Sequence, residues 1–269
     1  AFHGGSVPAA SISFTGPVRE FPFDGGGGRF EARAQFEDLE FQYALGWPRA
    51  ERLSGVVGFT NARMEGEAFS GEVLGNELRS LDVVIEDLRK GVIDYRSRTW
   101  GEVPAVMAYL RNSPLAEYVR PVEDSSGRSE VSLSLRLPLL AQEQSTMSAA
   151  MKVMDGAVTL DGMLPLTEVA GTLGYDTGNG LTGEDIEARV LDRPVRLSVV
   201  PERDAEGRLA ASRLELDGRF RTDRLLARID PRLADFVDGT SDVHATARLA
   251  PGARGPGQIS IASDLVGTA

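Results

Sequence analysis

Cysteine is absent from all 269 residues, histidine occurs twice, and no apolar run exceeds the eight residues Val103–Leu110. The missing thiols exclude Cys nucleophiles, Cys-ligated zinc, iron–sulfur clusters and a disulfide framework. The short apolar runs exclude a helix that crosses a bilayer, which takes about 20 apolar residues. Basic side chains are also in the minority. With 29 Lys and Arg against 40 Asp and Glu, the net charge is −11. That is the wrong sign for a general nucleic-acid binder, and it disfavours anionic membrane surfaces.

Active-site chemistry is equally scarce. His3 lies near one end and His244 sits on the polar side of an alternating segment, neither with a partner at metal-ligand or triad spacing. The run Gly25–Gly28 lacks the Gly-Lys-Ser/Thr of a phosphate loop and the spaced glycines of a dinucleotide site, so it reads as a flexible hairpin. Asp176-Thr177-Gly178-Asn179-Gly180 lacks the oxygen ligands of a calcium loop and reads as an ordinary turn. Glu86, Asp87, Asp235 and Asp238 are a charged face rather than a glycosidase pair, since nothing sets two of them at a working separation. Trp47, Trp100, Tyr43 and Tyr95 fit core burial better than a sugar platform, because aromatics total only 7%. No catalytic residue, metal or cofactor is expected.

What the sequence does have is period-two alternation. Phe30, Ala32, Ala34 and Phe36 alternate with Glu31, Arg33 and Gln35, and Val131, Leu133, Leu135 and Leu137 with Ser132, Ser134 and Arg136. Val195, Leu197 and Val199 repeat the pattern, as do Val243, Ala245, Ala247 and Leu249; Leu81, Val83 and Ile85 follow it although Val84 breaks it. Each such segment turns one apolar face away from water and one polar face towards it. Turn signals lie between them at Asp24–Gly28, Ser126-Gly127, Asp161-Gly162, Gly178–Gly180, Glu206-Gly207 and Asp217-Gly218. Helical spacing occurs twice. One stretch is 103–119, with Pro104 in its first turn, Met107 and Leu110 on one side, and a restart at Ser113-Pro114. The other is 222–237, where Thr222 or Asp223 caps and Leu225, Leu226, Ile229 and Phe236 supply the apolar stripe. These side chains line a groove or cap a sheet end; spacing leaves both open.

The chain also repeats itself. Leu53–Phe59 matches Val169–Tyr175 at a shift of 116, Leu115–Val119 matches Leu233–Val237 at 118, and Gly127 and Arg136-Leu137 match Gly239 and Arg248-Leu249 at 112. The organisation expected is 1–40 as leading strands, 41–140 and 156–250 as two β-repeats with helical insertions, and 251–269 as a truncated strand. Such units usually stack edge to edge and extend one sheet, although two closed sandwiches satisfy the same pattern. Residue 1 is alanine, no basic stretch precedes an apolar one, and Gln258–Ala262 reads as an interrupted strand, so the expectation is a piece of a longer chain.

Glu20-Phe21-Pro22-Phe23 with the following glycines and Phe30, Trp47-Pro48, and Leu53–Phe59 resemble the central region of the YhdP family, AsmA-like and TamB-related envelope proteins of Gram-negative bacteria. Asn112–Leu115, Val131–Leu139 and Val169–Leu173 fit the same pattern. The resemblance implies a periplasmic fragment whose parent is anchored in the inner membrane and carries phospholipid between inner and outer membranes. It implies no catalysis. Its expected partners are phospholipid acyl chains, other segments of the same longer chain, and both membranes through parts outside this fragment.

The resulting expectation is an all-β, mainly antiparallel, repeat-built curved sheet or U-shaped groove with two short broken helices. Its apolar floor comprises Leu81, Val83, Ile85, Val131, Leu133, Leu135, Leu137, Val195, Leu197, Val199, Val243 and Leu249. Two short helices cannot cover many strands, which leaves that face open. The competing reading is a non-enzymatic structural or protein-interaction module built of closed β-sandwiches.

Overall fold

A computed structural model describes residues 2–42, 49–112, 116–140, 144–160, 163–224, 239–250 and 258–263. Among the described residues, fourteen strands follow one another in chain order in an open antiparallel sheet. They are β1 (Phe2–Thr15), β2 (Arg29–Phe41), β3 (Ala50–Thr60), β4 (Arg63–Val73), β5 (Asn76–Ile85), β6 (Val92–Glu102) and β7 (Val122–Pro138). β8 (Thr146–Leu160), β9 (Leu166–Asp176), β10 (Gly180–Val190), β11 (Arg193–Arg203), β12 (Leu209–Arg221), β13 (Thr240–Leu249) and β14 (Gln258–Ser263) complete the set. Two helices, α1 (Val103–Arg111) and α2 (Ala116–Val119), interrupt the run between β6 and β7. The chain packs as two units, the first containing Ala1–Ser113 and Ser129–Met151, the second Pro114–Arg128 and Lys152–Ala269.

Alternation predicts the strands because it sets which face each residue takes. In β2 exposed and half-buried residues alternate from Arg29 to Glu37, with Phe30, Ala32, Ala34 and Phe36 on the half-buried side. The break at Val84 is a residue on the polar face, opposite Glu65 on one side and Asp94 on the other. Pro104 stands in the first turn of α1, where its missing N–H costs nothing, and the helix buries Val103 and Met107. Asn112 ends it, its side-chain amide donating to Ala108 O at 2.8 Å. Of the second helical stretch, 222–224 are helical; Leu225, Leu226, Ile229, Asp235, Phe236 and Asp238 lie outside the described residues, as do Tyr43, Trp47, Ser113-Pro114 and Asp161-Gly162.

The offset read in the sequence reappears in the backbone. β3 and β9 each have 11 residues and both ends differ by 116; β4 and β10 have 11 residues and differ by 117. Irregularities recur at nearly the same spacing: Arg52 and Glu168 have φ of 51° and 50°, and Asp38 and Asp155 have φ of 52° and 49°. A non-glycine residue in the left-handed region marks a kink in the strand, and β2–β3 pairing shifts register on either side of Leu39.

Two of the turn signals are corrected by the structure. Gly127 lies within β7 and Gly218 within β12. Gly127 has φ of 98°, and a Cβ there would sit 2.5 Å from Gly156 Cα; the glycine serves a close approach between strands. At Gly218 a Cβ would meet Val195 Cγ1 at 2.7 Å and the Phe220 ring at 2.9 Å. The run Gly25–Gly28 sits in a longer loop, residues 16–28, that folds back at the β1–β2 end. There Phe23 is buried against Phe14, with ring centroids 5.2 Å apart, and Phe21 meets Phe30 at 5.7 Å.

Candidate functional site: the apolar sheet face

Residues directly opposite on antiparallel neighbours point to the same face, so the strand registers assemble side chains into rows that cross the sheet. In the first unit one row runs Ala10, Ala34, Val57, Gly66, Val83 and Tyr95 across six strands. Its neighbour runs Ile12, Ala32, Phe59, Met64 and Ile85. No residue of these two rows is buried, and Ala10 and Ile12 are exposed. A third row, Phe36, Gly55, Ala68 and Leu81, belongs to a packed core with Ala50, Leu53 and Leu78. Along β5, therefore, Leu81 rests on the core while Val83 and Ile85 stand on the half-open part of the face.

Val131, Leu133, Leu135 and Leu137 are all half-buried, and Ser132, Ser134 and Arg136 between them are exposed. Their side is fixed by an ion pair. Arg136 Nη1 donates to both carboxylate oxygens of Asp94 at 2.7 Å, and Asp94 stands opposite Val84 on the polar face. Leu135 and Leu137, one residue either side of Arg136, consequently share the face of Val83 and Tyr95. Tyr95 is half-buried there, and the partial loss of water around its phenol raises its pKa above the ordinary value.

The second unit builds the same rows with a different exposure. Ile186, Leu197, Leu216, Ala245 and Ile261 form one row; Gly183, Val199, Leu214, Ala247 and Ile259 form the next; Ala188, Val195, Gly218 and Val243 form a third. Val195, Leu197, Val199 and Val243 are all buried, Leu197 to 3% exposure, and Leu249 is half-buried. One sequence pattern thus yields a half-open face on the first unit's strands and, in the second, a face buried along β11 but exposed at Ile259 and Ile261 on β14. Val57, Phe59, Met64, Leu214 and Leu216 also stand on these rows, and sequence reasoning does not find them. β4 offers only Met64, Gly66 and Ala68 between glutamates, too small a contrast to register.

The opposite face is polar and crossed by ion pairs. Glu202 lies between Arg213 (3.2 Å) and Arg248 (2.7 Å), and Arg213 also reaches Glu215 at 2.7 Å. His244 is exposed on this face, its Nδ1 2.8 Å from Asp217 Oδ1. These two, with Glu187, Arg196, Arg219 and Asp242, line an open depression of about 840 Å³ in the second unit. Among the described residues no group of three metal-ligating side chains converges. The Asp176 carboxylate is spent on its own turn, accepting from Gly178 N at 2.8 Å and Asn179 N at 3.1 Å. Glu86 pairs with Arg63, and Asp87 with Arg89 at 2.8 Å. Arg89 holds the Asp87 carboxyl down at about 2, chiefly through hydrogen bonding. Trp100 is half-buried with the Arg79 guanidinium 6.0 Å from its ring centroid.

A family model described as YhdP protein matches residues 1–269, the whole sequence. No curated protein and no solved structure matches. With the full length matched and an open antiparallel sheet in place, the chain belongs to the YhdP family of bacterial envelope proteins.

Proposed function

We propose that this chain is a segment of a periplasmic lipid-transfer protein, anchored elsewhere in the inner membrane, whose apolar face carries phospholipid acyl chains between inner and outer membranes. The observation that supports it is the pair of half-open rows in the first unit, which cross six and five strands. Val83 and Ile85 on β5, with Val131, Leu133 and Leu135 on β7, stay half-buried there rather than packed into a core.

Transfer of hydrocarbon from water to such a face is favourable by about 0.8 kcal/mol per methylene. A sixteen-carbon tail gains on the order of 12 kcal/mol by that coefficient, nearly all of it forfeited on leaving a bilayer. The exchange between membrane and protein is close to neutral, which suits a conduit: a much tighter site fills and stops. No proton transfer, nucleophile or metal takes part, and the acidic polar face keeps the outside solvated.

The buried residues of β11 and β13 favour a second, structural role there. With Val195, Leu197, Val199 and Val243 buried, those strands act as a packed spacer within the parent protein.

The test is extraction of the purified chain followed by mass spectrometry for phospholipid, with Leu135→Asp in parallel. Co-purifying phospholipid that the substitution removes, in a protein that stays folded, is the expected result. Absence of phospholipid above that of a soluble protein of equal size overturns the proposal.

A further inference from the structure

Hydroxyl groups interrupt the apolar side of β6. Tyr95 stands opposite Val83, Ser97 opposite Leu81 and Thr99 opposite Leu78, and all three are half-buried. The Tyr95 and Ser97 side chains are hydrogen-bonded to each other. The charged residues of β6, Asp94, Arg96 and Arg98, stand opposite Val84, Asp82 and Ser80 on the other face. These hydroxyls follow the border between two parts of the face: Val83 and Ile85 stand on the half-open part, whereas Leu78 lies in the packed core and Leu81 rests on it. The second unit shows that the sheet itself has no need of them. β5 and β11 begin at Asn76 and Arg193, and β6 and β12 at Val92 and Leu209, 117 residues apart in both cases. The second unit's pairs in the same order are Val195 with Gly218, Leu197 with Leu216 and Val199 with Leu214. Two leucines thus stand where β6 carries Ser97 and Tyr95.

We propose that Ser97 and Tyr95 form a hydrogen-bonding subsite for the ester carbonyl of a glycerolipid, at the point where its acyl chain enters the half-open part of the face. The inference rests on the acyl-chain role proposed above and adds the chain linkage that the face recognises. Each hydroxyl offers one hydrogen and two lone pairs, so the bond within the pair does not exhaust it. A carbonyl oxygen is a neutral acceptor suited to such a donor. A carboxylate or phosphate is disfavoured, because the apolar side of β5 and β6 carries no cation to offset its loss of water. An ether-linked chain of the same length brings the same hydrocarbon without the carbonyl, and a polar group left facing it unpaired discriminates against it.

The experiment incubates the full chain with vesicles holding equal amounts of diester phosphatidylcholine and its dialkyl-ether analogue of the same chain length, re-isolates the protein, and measures the two bound lipids by mass spectrometry. It is run on the parent sequence, Tyr95→Phe/Ser97→Ala, Ser97→Ala alone and Leu135→Asp. Expected are a preference of the parent for the diester on the order of threefold to tenfold, the range of one hydrogen bond, and loss of that preference in the double variant. Circular dichroism checks that the double variant is folded; where it is not, the ratio in Ser97→Ala, which removes a single oxygen, decides. Leu135→Asp should lose both lipids alike, which separates damage to the face from loss of the subsite. Equal uptake of the two lipids by the parent, or a preference that survives the substitutions, overturns the subsite and leaves the lipid-carrying face standing. No uptake of either lipid by the parent overturns the acyl-chain reading and the subsite with it.

Discussion

The side-chain amide of Asn76 closes on the backbone of Glu102 in both directions, accepting from Glu102 N at 2.9 Å and donating to Glu102 O at 3.3 Å. Asn76 is buried and packs on Gly101, where a Cβ would collide with the amide. The pair fixes the end of β6 at the point where α1 begins, and Glu102 offers α1 no side-chain cap of its own. Asn76→Ala leaves both backbone groups without this partner, at a cost of about 2 kcal/mol. Chemical denaturation measures it, and an unchanged midpoint contradicts the role.

Leu135 and Leu197 sit in near-mirror surroundings in sequence, Ser-Leu-Arg and Arg-Leu-Ser. Leu135 is half-buried and Leu197 buried. Leu197→Asp should therefore cost several kcal/mol, since a carboxylate there has no water and no partner. Leu135→Asp should leave the fold intact. Thermal melts of the two variants, followed by far-ultraviolet circular dichroism, decide the matter; equal destabilisation would count against an open face in the first unit.

Gly28 and Gly25 belong to one glycine run and should respond in opposite ways. A Cβ on Gly28 would run into the Phe23 ring and Thr15 O, whereas at Gly25 nothing lies within 4 Å. Gly28→Ala is expected to displace Phe23 and destabilise by about 1–3 kcal/mol. Gly25→Ala is expected to be neutral or to stabilise by about 0.5 kcal/mol through the unfolded chain. Denaturation midpoints for the two single variants provide the comparison.

Asp87 titrates at about 2, below the ordinary 3.8, because Arg89 hydrogen-bonds its charged form. A carboxyl lowered on folding contributes stability above its unfolded value; that contribution is lost as pH falls from about 4 through 2. Carboxyl carbon shifts followed by NMR through the acid range should place the Asp87 midpoint near 2. Arg89→Gln should return it towards 3.8; an unmoved midpoint rules Arg89 out as the cause.

Much of the sheet is legible in the sequence because alternation is a local property. Phe30–Phe36, Val131–Leu137 and Val243–Leu249 all fall in strands with the expected apolar side inward. α1 is legible through Pro104 and Met107. Gly127 and Gly218 read as turns because a glycine that admits a neighbouring strand looks, in sequence, like one that turns the chain. The contrast in burial between Leu135 and Leu197 is hidden for a related reason: exposure is decided by what lies over a face, and the strand's own residues do not encode it.

That order has a mechanical corollary. Where every strand is bonded to the ones before and after it in the chain, pairing is local in sequence, and apart from the long connections 16–28, 103–121 and 222–239 the entropy lost in closing a hairpin is small. A pull on the two ends of such a molecule loads the outermost hairpins first. Extension should then proceed as a succession of small yielding steps, hairpin by hairpin, rather than one rupture of the whole body.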